Sequence, residues 1–168
     1  MSRIIEPVIG EFKQEAATTK RVLERVPADK LSWKPHPKSM SLGQLAKHVA
    51  TIPGDIAKLA QPDEFDVSGA NFNFPAPTNT AEILAALDAS VKAAGDYLGG
   101  LDDAAATRMW SMKSGEKVIF SMPRIAMIRM IMLSHWYHHR GQLSVYLRML
   151  DVPVPSIYGP SADENPFA

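Results

Sequence analysis

The chain has 168 residues, of which 46% are apolar, so the sequence predicts one domain, residues 1–168, with a hydrophobic core of its own. Its 18 basic side chains balance 18 acidic ones, which excludes the broad phosphate-binding surface of a nucleic-acid partner because such a surface needs an excess of lysine and arginine. Cysteine is absent, which excludes disulfide bonds, thiolate metal sites and a cysteine nucleophile.

Apolar residues recur at helical spacing in four segments. The first helix is predicted from about residue 4 to residue 25, and Pro27 follows its end. After a proline-rich loop, Ser41 and Gln44 fit a capping box, in which each side chain binds a free backbone N–H group of the other residue. This second helix is predicted to reach about residue 59, with a kink at Pro53 because proline lacks the N–H group.

The second half of the chain predicts two more helices. The third helix is predicted from Asn79 to the glycine pair at residues 99–100. Residues 107–120 indicate either a loop or a short hairpin. The last helix is predicted from about residue 123 to residue 150. Four long helices joined by loops predict an all-α fold, a four-helix bundle with loop insertions.

The most apolar run of the chain, residues 118–133, predicts no membrane span. Arg124 and Arg129 interrupt it, and it is shorter than the roughly 20 residues that a spanning helix needs. The N-terminal segment has no apolar stretch of signal-peptide length. We therefore expect a cytoplasmic protein without a membrane partner.

Three of the five histidines lie in the last predicted helix. Successive helix residues turn by about 100°, so His135 and His139 lie on one face, with Cβ atoms about 5–6 Å apart. Two imidazoles at this spacing can converge on one metal ion. His138 lies at the edge of that face, as a neighbour of a ligand or as an alternative to His139.

The face that carries these histidines is otherwise mostly apolar, which predicts that they point into the bundle. A metal site there needs a ligand from a facing helix, and His48 lies on an apolar face of the second helix. His36, in the proline-rich loop, is a weaker candidate. A buried polar group without a partner costs about 1–3 kcal/mol, which either hydrogen bonds or a metal ion would remove. The residues alone leave both readings open.

Other polar and aromatic side chains could serve such a site. Asp55 follows His48 by two helical turns and is either a base at the rim or a solvated aspartate near a helix end. Gln142 shares the histidine face and either orients a metal ligand or bonds to a neighbouring helix. Trp33 and Tyr158 lie in segments that could cover the end of the bundle, and we expect them to seal the core rather than to contact a substrate.

The outward side of the last helix is also apolar, apart from Arg129 and Arg140. A helix that is apolar on nearly all sides is usually buried on all sides. We therefore expect a homodimer that packs partly through this helix, unless residues 107–120 cover the same face. The apolar residues of this outward side are Ala126, Met130, Leu133 and Tyr137.

Three motifs follow one another in an order that is known from one protein family. They are LSWKPHPKSMSLGQLAKHVA before and within the second helix, SHWYHHRGQLSVYLRML in the last helix and VPVPSIYGPSADE in the tail. Together they resemble the DinB/YfiT-like superfamily of metal-binding four-helix bundles, over most of the chain. The resemblance implies an open site of three histidines, His48, His135 and His139, that holds one divalent ion, zinc or nickel.

The same resemblance implies a function only in outline. Some relatives transfer low-molecular-weight thiols such as bacillithiol or mycothiol, or isomerise maleylpyruvate. We therefore expect a metal-dependent enzyme that acts on a small-molecule substrate by metal-activated water or thiol, as a hydrolase or an S-transferase, with a low-molecular-weight thiol as a second candidate cofactor. One alternative is a non-catalytic metal- or ligand-binding bundle of a stress response. Another is a purely structural cluster of histidines.

Overall fold

The computed structural model describes residues 3–71 and 75–167. The structure is mostly helical. In chain order the helices are α1 (Glu6–Leu23), a short 3-10 turn (Ala28–Lys30), α2 (Leu42–Ala60), α3 (Thr80–Gly100), the short α4 (Asp103–Thr107), α5 (Arg124–Met127), a π-helical segment (Ile128–Ser134) and α6 (His135–Met149). None of the helices in this described part is long and apolar enough to cross a membrane.

Side-chain caps begin two of the long helices where the sequence predicts them. At the start of α2, the Gln44 backbone N–H donates to Ser41 Oγ at 3.2 Å, and the Ser41 N–H donates to Gln44 Oε1 at 3.0 Å. At the start of α3, the Glu82 N–H donates to Asn79 Oδ1 at 2.9 Å. Both predicted helix starts are therefore confirmed, and the cap fixes where α2 begins relative to His48.

Pro53 lies within α2 without ending the helix. Because proline has no N–H group, the Val49 carbonyl four residues earlier loses its helical donor. The indole Nε1–H of Trp136 donates to that carbonyl at 2.8 Å, and Trp136 is fully buried. A side chain of α6 therefore supplies the hydrogen bond that the proline removes from α2.

The next residue, Gly54, brings α2 close to α3. Its N–H donates to Ser90 Oγ at 2.8 Å, and the Ser90 hydroxyl donates to the Thr51 carbonyl at 3.1 Å. A Cβ atom at position 54 would lie 2.9 Å from Ser90 Cα, nearer than real Cβ atoms approach. Glycine is therefore required for this contact between the two helices.

The expectation of a purely all-α fold is wrong in one respect, because the described residues include a small three-stranded sheet in the order β1-β2-β3. Strand β1 (Glu64–Asp66) pairs in parallel with β2 (Met109–Ser114), and β2 pairs antiparallel with β3 (Lys117–Pro123). The hairpin is thus the correct one of the two alternatives for residues 107–120. Its turn contains Gly115 with a φ of 60°, a conformation that glycine adopts without strain.

The C-terminal helical region differs from one regular α-helix. Strand β3 extends to Pro123, so α5 begins only at Arg124, and the π-helical segment follows it. A π-helix pairs residue i with residue i+5 by a hydrogen bond. The rotation of 100° per residue that holds for an α-helix therefore does not predict which side chains share a face across this segment. Regular α-helix resumes at His135, and the predicted spacing from His135 to His139 therefore holds.

The face of the last helix that was predicted to be outward and apolar is partly buried in the structure, and it carries a buried arginine. Leu133 is fully buried, whereas Met130 is 48% exposed. Arg140, predicted to face outward, is only 1% exposed and pairs with the Glu15 carboxylate of α1 at 2.5 Å. Its guanidinium also donates to Thr19 Oγ1 at 3.1 Å. A buried charge persists only when it is paired in this way, and no spacing rule along the sequence revealed the partner.

Candidate metal centre

Three half-buried imidazoles from two helices converge between those helices. His48 comes from α2, and His135 and His139 come from α6; we call these residues the histidine triad. One ring nitrogen from each lies within 4.8 Å of the others. The ring centroids are 4.5 Å apart for His48 and His139, 4.6 Å for His135 and His139, and 5.3 Å for His48 and His135. These three side chains could hold one metal ion.

The hydrogen bond between the Trp136 indole and the Val49 carbonyl explains why the two helices present their histidines to each other. Val49 directly follows His48, and Trp136 directly follows His135. The bond therefore fixes α2 against α6 one residue away from two members of the triad. His139 then lies one α-helical turn beyond His135 and reaches the same point.

Burial lowers the pKa of all three histidines. For His48 the loss of solvent, together with the neighbouring His139 and His135, lowers the pKa from 6.5 to about 4. Loss of solvent also lowers the pKa of His135, and its histidine neighbours lower it further. Loss of solvent lowers the pKa of His139 as well, although the hydrogen bond with Gln142 acts in the opposite direction. At neutral pH the triad is uncharged, which is the form of imidazole that binds metals.

Gln142 orients one of these rings. Its Oε1 lies 2.8 Å from His139 Nδ1. With the Gln142 amide oxygen facing the ring, this contact requires the proton on Nδ1 of His139, because a carbonyl oxygen only accepts, and Nε2 then keeps the lone pair. Gln142 itself is exposed, so it acts as a hydrogen-bond acceptor for His139 and not as a core residue bonded to another helix.

The other two histidines lie outside the triad. His138 is exposed at the edge of the site, with its ring centroid 4.9 Å from that of His139. His36 is exposed in the loop before α2, where its Nδ1 accepts a hydrogen bond from the Lys38 N–H at 3.2 Å. His36 therefore shapes a turn.

The two aromatic residues named from the loops make structural contacts. Trp33 packs edge-on against Tyr146 of α6, with ring centroids 5.5 Å apart. Tyr158 is 70% exposed, but its hydroxyl accepts from Arg140 at 2.6 Å and donates to Glu15 at 3.1 Å. This pair of bonds holds the C-terminal tail on α1 and α6.

A cavity of about 440 Å³ borders the triad; we call it the triad cavity. His48 and His135 form part of its wall, and Asp55 and Lys58 add a carboxylate and an ammonium group 3.6 Å apart. Lys58 is not among the residues predicted from the sequence, although its spacing of three residues from Asp55, about one helical turn, could have indicated it. The remaining lining residues are Ile52, Ile56, Leu59, Phe65, Ala70 and Asn71. A largely apolar cavity with a few polar groups at one place is typical of a small-molecule site.

Comparison with known proteins gives concordant findings. The model of the DinB family matches residues 1–166. The uncharacterized protein YrdA of Bacillus subtilis (strain 168) is 25% identical over 167 residues, which cover 98% of this chain and 93% of that protein.

Two solved structures share the fold. A DinB-like protein of Bacillus cereus ATCC 10987 superposes with a TM-score of 0.70 and 24% identity, over 94% of this chain and 100% of that one. A DinB-like protein of Bacillus subtilis superposes with a TM-score of 0.67 and 20% identity, over 87% of this chain and 93% of that one.

Proposed function

The chain belongs to the DinB family, and on that premise we propose that it is a divalent-metal-dependent enzyme that acts on a small molecule. His48, His135 and His139 are the proposed ligands. The observation that carries the proposal is the convergence of their ring nitrogens within 4.8 Å at the wall of a cavity. Nitrogens bound tetrahedrally to one zinc ion at about 2.0–2.1 Å lie about 3.4 Å apart, a spacing that rotation of the rings can reach.

The donor set favours particular ions. Imidazole nitrogen suits zinc, nickel, copper and iron, whereas magnesium and calcium prefer oxygen ligands. Of the ions that imidazole suits, we propose zinc or nickel, the two that the resemblance to the DinB/YfiT-like superfamily implies. Three protein ligands are fewer than the four of a structural zinc site, and they leave a position for water or substrate. The triad therefore has the ligand number of a catalytic site.

The proposed chemistry needs a nucleophile at neutral pH. A divalent ion with three imidazole ligands supplies it by lowering the pKa of water or of a thiol. Gln142 keeps the His139 lone pair on Nε2. Asp55 is the proposed proton acceptor on the cavity wall, and Lys58 beside it offsets negative charge on a substrate. Use of water makes the protein a hydrolase, and use of a low-molecular-weight thiol makes it an S-transferase.

Metal content tests the site. Protein purified without an affinity tag is expected to bind about one equivalent of zinc or nickel, and His48→Ala and His139→Ala are expected to lose it. His36→Ala is the matched control, because His36 is an exposed histidine outside the triad. Full metal content in the folded triad variants, checked by circular dichroism, would show that the ion lies elsewhere.

Turnover separates the proposed functions. The metal-loaded protein is tested with thiols plus electrophiles and, separately, with esters and amides. Product that requires a thiol supports the S-transferase, and product without one supports the hydrolase. In either case Asp55→Asn is expected to lower kcat more than KM. A protein that holds its metal but converts no substrate is a passive metal- or ligand-binding bundle.

We also propose that the protein is a homodimer. Met130 and Ala126 are exposed on the C-terminal helical region, whose outward side the sequence predicts to be apolar, and contact with a second copy would remove them from water. Sedimentation velocity is expected to show a dimer at micromolar concentration. A monomer under these conditions would refute the proposal.

A further inference from the structure

A second cavity, of about 330 Å³, adjoins the triad cavity; we call it the sheet pocket. Four residues belong to the walls of both cavities: Ile56, Leu59, Phe65 and His135. The remaining wall of the sheet pocket consists of Val67, Trp110, Met112, Met127 and Ile131. His135 therefore stands between a cavity that contains polar side chains and a pocket that is otherwise apolar.

Among the described residues that line the sheet pocket, His135 supplies the main polar side chain. Apart from His135, the lining side chains are aliphatic, aromatic or thioether groups. The one further polar atom of the described lining side chains, the indole N–H of Trp110, donates to the Leu59 carbonyl at 3.2 Å. The part of an occupant that contacts this lining must consequently be apolar, and a polar atom is favoured there only where it meets His135.

The small sheet builds this pocket. Phe65 lies in β1, and Trp110 and Met112 lie in β2. Val67 continues β1, since its N–H donates to the Lys113 carbonyl at 2.8 Å. Across from the sheet, Ile131 comes from the π-helical segment that leads into His135. The pocket therefore lies between the two features that a regular four-helix bundle lacks.

We propose that the sheet pocket binds the apolar group of the substrate, an alkyl chain or an aryl ring, while the reacting atom lies at the histidine triad. This proposal rests on the proposed function, because it assigns a substrate class to the same site. The volume of about 330 Å³ falls in the range of small-molecule sites, about 300–1,000 Å³. Each methylene that such a pocket removes from water strengthens binding by about fourfold.

The chain-length dependence of binding tests the proposal. Linear alkanohydroxamic acids, from acetohydroxamic to octanohydroxamic acid, are titrated into the zinc-loaded full-length protein by calorimetry. The head group binds the metal, and affinity is expected to rise by about fourfold per methylene until the pocket is full. An affinity that does not depend on chain length would overturn the proposal.

Two matched variants localise the effect. Val67→Phe fills the pocket from its rim and is expected to abolish the dependence on chain length. Val118→Phe makes the same change on β3, where Val118 is 51% exposed and outside the pocket wall, and is expected to preserve it. Equal behaviour of the two variants contradicts the assignment.

Methionine methyl signals give a readout in the unaltered protein. With methyl-¹³C-labelled methionine, hexanohydroxamic acid is expected to shift Met112 and Met127, which line the pocket. Met149 is 55% exposed, lies outside the pocket wall and serves as the internal control. A shift confined to Met149 would place the ligand on the surface and refute the proposal.

The same titration without metal separates this proposal from the proposed function. If the triad holds no metal, zinc adds no affinity for the head group, whereas the dependence on chain length and the shifts of Met112 and Met127 remain. This result supports the sheet pocket as a binding site and refutes the metal site. If zinc strengthens the binding of every hydroxamate equally and chain length has no effect, the result supports the metal site and refutes the sheet pocket as a binding site.

Discussion

Removal of the Trp136 indole N–H is predicted to destabilise the protein through the Val49 carbonyl. In the native fold that carbonyl accepts from Trp136 at 2.8 Å, because Pro53 has no N–H group to offer it. Trp136→Phe keeps an aromatic ring but leaves the carbonyl without this donor. A buried acceptor left unsatisfied costs about 1–3 kcal/mol, and the smaller ring adds a packing loss at a fully buried position.

A second substitution isolates the hydrogen bond from the packing loss. Pro53→Ala restores an N–H group four residues after Val49, so the helix itself can satisfy the carbonyl. The packing loss is common to both backgrounds and cancels in a double-mutant cycle. Trp136→Phe is therefore predicted to cost about 1–3 kcal/mol less in the Pro53→Ala background than in the parent.

The assay is urea denaturation of the metal-free proteins, followed by circular dichroism, with the free energy of unfolding extrapolated to water. A coupling energy within about 0.3–0.5 kcal/mol of zero is what independent sites give. Such a value would refute the view that the indole replaces the helical hydrogen bond removed by the proline.

Three further predictions follow from the site and the core. Gln142→Ala is expected to weaken zinc binding by about 10–100-fold in a chelator competition, because the hydrogen bond that fixes the proton of the ligand ring is lost; unchanged affinity would contradict this role. Metal-free protein is expected to lose stability as the pH falls from 6.5 to about 4, because the His48 side chain takes up a proton in the unfolded chain before it does so in the folded chain. His48→Gln should reduce this loss in denaturation measured across that pH range. An identical pH profile for the variant and the parent would refute the role of His48. Arg140→Met leaves the buried Glu15 carboxylate without its charged partner and should cost about 3–5 kcal/mol in urea denaturation. Arg148→Met breaks an exposed ion pair and should change the free energy of unfolding far less. Equal costs would contradict the distinction.

The sequence predicts the parts of the site that depend on local chemistry. The cap at Ser41 and the four-residue spacing of His135 and His139 both follow from rules that act within one or two helical turns, and the structure has them as expected. His48 was found because it lies on an apolar face of its own helix. Convergence of the three rings then required only that the two helices pack face to face.

Features that depend on distant partners were not predictable in this way. Strand β1 has only three residues, and its partner strand lies more than forty residues later, so no periodic pattern marks it. The role of Arg140 depends on Glu15, 125 residues earlier. The π-helical segment depends on how the chain leaves β3 and alters the rotation on which predictions of helix faces rest.

The most direct test of the central claim is the position of a bound metal. Crystals of the zinc-loaded protein, measured at the zinc absorption edge, are predicted to show one anomalous peak between the rings of His48, His135 and His139. Three nitrogens should lie at about 2.0–2.1 Å from it, with an open position toward the triad cavity. A peak elsewhere, or an empty triad in crystals grown with zinc, would contradict the claim that the triad holds a divalent ion.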